Sequence, residues 1–73
     1  MKLNSKDFRN NNYFILYDLN DEVICYLDSW EELHNKYLKN YALRNLVYQF
    51  NNNKTNVITI IINHKEFKLA TYC

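Results

Sequence analysis

Neither glycine nor proline occurs in the 73 residues, and this limits how the chain can turn. A left-handed backbone position normally falls to glycine. Without it the task passes to Asn and Asp, whose short polar side chains tolerate positive φ. Asn occurs 13 times, so the means are at hand. Two reversals are expected where such residues separate apolar runs. The first is Asp18-Leu19-Asn20-Asp21-Glu22, with Asn20 and Asp21 best able to take positive φ, and the second surrounds Asn63, His64 and Lys65. The runs on either side read as strands: Tyr13–Tyr17 with Val23–Leu27, and 57–63 with 66–72. Along Val23–Leu27, period-two alternation puts Val23, Cys25 and Leu27 on one face and Ile24 and Tyr26 on the other.

Between the hairpins the period changes to that of a helix. Asp28 or Ser29 can cap it, and Ser29 with Glu32 has the capping-box spacing. Trp30, Leu33, Tyr37, Leu38 and Tyr41 form one helical stripe. Glu31 and Glu32 in the first turn and Lys36 and Lys39 in the last suit the helix dipole, and Asn40 is expected to end the helix in the left-handed conformation. A second helix over 42–51 carries Leu43, Leu46, Val47 and Phe50 on its core face, and a polar loop over 51–56 follows. The fold class is α+β, ordered ββααββ, with two β-hairpins flanking a helix-turn-helix-like pair of helices. Residues 1–12 read as a frayed polar arm, and 13–73 as a single domain. A domain this small is expected to hold only about 3–5 kcal/mol of core stability unless something assists it. Cys25 and Cys73 do not make a disulfide framework and fit a reducing cytosol. No signal peptide and no membrane-length apolar run is seen, so the expected setting is the cytoplasm of a bacterial host.

The formal charge of +1 hides a strong polarity. Residues 10–35 contain no Lys or Arg but six acids: Asp18, Asp21, Glu22, Asp28, Glu31 and Glu32. From residue 36 onward Lys36, Lys39, Arg44, Lys54, Lys65 and Lys68 face only Glu66. Such a field offers two surfaces of opposite sign, one suited to a basic groove and one to phosphate.

Phe, Tyr, Met, Ile, Asn and Lys, the residues of A/T-rich codons, fill 38 of the 73 positions, which implies a low-G+C bacterium or its phages and mobile elements. The run from Tyr17 to Leu33, with Asp28-Ser29-Trp30-Glu31-Glu32 at the helix start, resembles the opening of the NUMOD1-type DNA-binding module found beside homing endonucleases. The likeness covers about residues 13–50, and it extends to small phage proteins of low-G+C bacteria. It implies a helix-turn-helix-like pair and a mobile-element origin. The turn glycine of that module is missing here, and an isoleucine-rich hairpin replaces its short aromatic end.

Three binding surfaces follow, each with a plainer counterpart. The six acids are the candidate partner-binding surface, competing with nucleic acid for a basic groove; turns, caps and first-turn positions also favour acids. Arg44, Asn45, Tyr48 and Gln49, with Lys39 and Lys54 at either end for phosphates, are the candidate DNA-reading set, or else a solvated helix face. Ile58, Ile60, Ile61 and Ile62, with Val57, make a strand apolar on both faces, which points to self-association as a homodimer. His34, His64, Cys25 and Cys73 lack a metal spacing, and without glycine no phosphate-cradling loop is possible, so no metal, cofactor or enzymatic role is expected. The function expected is that of a non-enzymatic phage or mobile-element protein. It would block a host protein or nucleoprotein complex, most concretely as an anti-CRISPR-type inhibitor of a CRISPR nuclease. A small DNA-binding regulator and an oligomeric assembly protein are the alternatives.

Overall fold

A computed structural model describes residues 6, 8, 12–53 and 55–72. Its elements run β1 (Tyr13–Tyr17), β2 (Val23–Leu27), α1 (Trp30–Lys36), α2 (Leu43–Asn52), β3 (Val57–Ile62) and β4 (Lys65–Tyr72), the expected ββααββ order. The two hairpins join into one antiparallel sheet of order β2-β1-β4-β3, because β1 pairs with β4 from Tyr13↔Tyr72 to Tyr17↔Lys68. The chain from β2 to β3 must then cross from one sheet edge to the other. It does so beneath a single face, with α1 against β1 and β2 and α2 against β3. Phe14, Leu16, Leu27, Ile58, Ile60 and Leu69 point to that side and meet Trp30, Leu33, Leu38, Leu46, Val47 and Phe50 in one core.

Both turns solve the missing-glycine problem. In the first, Asp18 Oδ1 accepts from the N–H groups of Asn20 (2.8 Å) and Glu22 (3.0 Å), and Asp21 alone takes positive φ, at 66°. Asp21 thus holds the left-handed site of a three-residue hairpin loop, and Asn20 does not. In the second, Asn63 (φ 51°) and His64 (φ 67°) are both left-handed, as a two-residue hairpin turn of matching twist requires.

Several expectations need correction. Phe8 is fully buried, its ring 5.3 Å from Phe14 and 5.6 Å from Phe50, and Asn12 is buried with its amide donating to Thr71 Oγ1 at 2.8 Å. At these two positions the stretch 1–12 is core, not a frayed arm; residues 1–5, 7 and 9–11 lie outside the described residues. Ser29 caps α1 by accepting from the Glu32 N–H at 3.2 Å, but the helix ends at Lys36, not Asn40. The Leu33 carbonyl accepts from both Tyr37 N–H (2.9 Å) and Leu38 N–H (3.1 Å), which folds the chain back and seats Leu38 in the core. Finally, a bulge lies between the Leu16↔Cys25 and Tyr17↔Val23 pairs. It breaks the alternation in β2: Val23 sits beside Tyr17, while Ile24 turns toward Leu16, Ile62 and Phe67 around a hollow of about 320 Å³.

Candidate binding surfaces

The six acids divide between the two ends of β2, about 17 Å apart at the usual strand rise. Asp18, Asp21 and Glu22 occupy the β1–β2 turn; Asp28, Glu31 and Glu32 follow the far end of the strand. They bracket an edge strand and do not form one patch. Asp18 is engaged by its turn, Asp21 Oδ1 lies 2.7 Å from Lys68 Nζ, and Glu32 Oε1 lies 3.4 Å from Lys36 Nζ. Glu22 and Asp28 are exposed, one at each end.

The DNA-reading set is partly gathered. Asn45, Tyr48 and Gln49 line a hollow of about 380 Å³ with Asn40 and Tyr41, and Arg44 is exposed on the same helix. Lys39 is exposed in the turn before α2, and Lys54 lies outside the described residues. The self-association set is not a single surface. Ile58 and Ile60 are buried against the helices and Ile62 is half-buried beside them, because alternate residues of β3 face the core. Ile61, 57% exposed, is the isoleucine of the four that faces out.

The sheet face away from the helices carries a surface that composition alone did not locate. The register sets Tyr13, Ile15 and Tyr17 of β1 beside Tyr26 and Val23 of β2 and Tyr72, Ala70 and Lys68 of β4. Four of the seven tyrosines therefore share one open face. Tyr13 and Tyr72 stack with ring centroids 5.4 Å apart, and Tyr26 is 66% exposed. The signal was the odd-numbered set Tyr13, Ile15, Tyr17 alternating with the buried Phe14 and Leu16. Both halves of that strand are apolar, so the sequence marked it as a strand without showing which half is bare. Aromatic, half-exposed surface of this kind is typical of interaction sites.

Two tyrosines hold their protons more tightly than usual. Partial burial, with a hydrogen bond to Tyr72, raises Tyr17 above the ordinary value of 10. Tyr37 is raised chiefly by its hydrogen bond with Cys25, whose Sγ lies 3.5 Å from the hydroxyl. A raised native pKa favours the protonated fold, so this contribution is whole below about pH 10 and is lost as pH climbs past it. An alkaline titration followed by phenolate absorbance should show a late-ionising fraction, and Cys25→Ala should shrink it. Two unfolding midpoints equal at pH 9 and pH 11 would contradict the assignment.

Among the described residues no group of three or more His, Cys, Asp or Glu is placed to hold a metal ion, and no helix is long and apolar enough to cross a membrane. No family model, curated protein or solved structure matches the chain.

Proposed function

We propose that this chain is a non-enzymatic binding protein of a phage or mobile element. In this reading it acts in the bacterial cytoplasm and blocks a positively charged host macromolecule, most concretely as an anti-CRISPR-type inhibitor of a nuclease complex. The observation that carries the reading is the placement of acids at both ends of one exposed strand, next to the tyrosine-bearing open face. Carboxylates at such spacing can meet the Lys and Arg that line a nucleic-acid groove, while tyrosines supply stiff contact area. Expression in hosts with active CRISPR immunity tests it: plaque formation by a targeted phage should rise by orders of magnitude. No rise against any of the common CRISPR types would remove the anti-CRISPR reading.

One observation favours a second reading. The hollow lined by Asn45, Tyr48 and Gln49 presents amide groups of the type that read adenine edges, as a helix-turn-helix-like DNA-binding regulator would.

A further inference from the structure

The sheet has two edges, and the protein treats them differently. On β3 two of the three outward N–H groups are occupied, on either side of Thr59: Ile61 N–H donates to Tyr41 Oη at 3.3 Å, and Val57 N–H to Thr55 Oγ1 at 3.4 Å. Capping of this kind keeps an edge from pairing with other chains. On β2, no backbone group is bonded to anything but β1 among the described residues. The Asp18 N–H donates to the Glu22 carbonyl, so the even-numbered residues of β1 face β2. The narrow pairs are then Phe14↔Leu27 and Leu16↔Cys25, and Ile15↔Tyr26 is the wide one. In a wide pair the N–H and C=O point away from the partner, so those of Tyr26, the last residue but one of the strand, are turned outward on the edge. Val23 and Ile24, 45% and 44% exposed, lie along the same edge.

Charge decides what can pair there. A second copy is disfavoured in both orientations. Antiparallel pairing would bring the turn end of one strand, with Glu22, to the far end of the other, with Asp28, and parallel pairing would set each acid beside itself. An extended segment with Lys or Arg at both ends meets the opposite situation: its backbone would bond to Tyr26 while its ends meet Glu22 and Asp28.

We propose that the outer edge of β2 accepts an extended, basic-ended segment of the protein partner as a fifth strand. The inference rests on the reading of the acids as a partner-binding surface and adds how the partner is held. The probe is a capped octapeptide with two lysines at each end of a valine–threonine core, titrated into isotopically labelled protein at low salt. Binding is expected, with hydrogen exchange at the Tyr26 amide slowed about tenfold or more at saturation. Methylating the backbone nitrogens on one side of the peptide should weaken binding about tenfold. A peptide with glutamates in place of the lysines should not bind. Binding that leaves Tyr26 exchange unchanged and tolerates methylation on either side would overturn strand addition while leaving the acidic surface standing. No binding of the lysine peptide would overturn both.

Discussion

Phe8→Ala is expected to unfold most of the protein at growth temperature. The ring is fully buried and touches Phe14 of β1 and Phe50 of α2, so it joins the sheet to the second helix. Truncating a buried Phe typically costs about 3–5 kcal/mol, from lost transfer energy and the cavity left behind. That equals the whole stability expected of a core this size. The thermal midpoint should fall by tens of degrees, or the cooperative transition should vanish from circular dichroism. Phe8→Leu, which keeps much of the volume, should fold with a smaller loss. A Phe8→Ala midpoint within a few degrees of wild type would show that this ring contributes little.

The second large effect concerns binding. If the protein acts as proposed, Glu22→Lys with Asp28→Lys should abolish inhibition while leaving the fold intact. Both residues are exposed, and neither is the turn acceptor, the helix cap or a member of the two ion pairs with Lys68 and Lys36. Like charges set against each other across an interface cost several kcal/mol, so affinity for a basic partner should drop about a hundredfold or more. Lys39→Glu with Lys65→Glu, also at exposed positions, is the matched control and should retain activity. If the acid reversal keeps full activity and the basic reversal loses it, the two ends of β2 are not the contact.

The sequence carried the local features and little of the long-range ones. Order and element type were legible because turns rich in Asn and Asp bound the short apolar runs, and the two stretches between the hairpins carry apolar residues at helical spacing. The Ser29 cap and the Asp21 turn were legible because their chemistry lies within four residues. The β1–β4 pairing joins residues such as Tyr13 and Tyr72, and no local pattern announces it. Yet this pairing merges the hairpins, puts both helices on one face and bares the other. Phe8 stood alone among polar neighbours, with no periodic companion to mark it as core. Leu38 fitted a continuing helix equally well, and only the double acceptance at the Leu33 carbonyl shows that the helix has stopped. The acids were legible as a set, but their division between the ends of β2 depends on where the strand sits. The isoleucines of β3 gave a two-faced pattern, and the sheet register assigns Ile58 and Ile60 inward and Ile61 outward.

The most direct test of an inhibitor that competes with nucleic acid is whether the protein itself binds it. Purified protein would be titrated into random duplex and single-stranded DNA at low salt, with its mass measured in solution. A protein that blocks a basic groove should leave both DNAs free, since the acids bracketing β2 repel phosphate. Tight binding that weakens steeply with added salt, above all by a dimer, would contradict this and transfer the function to the helix face of Arg44, Asn45 and Gln49.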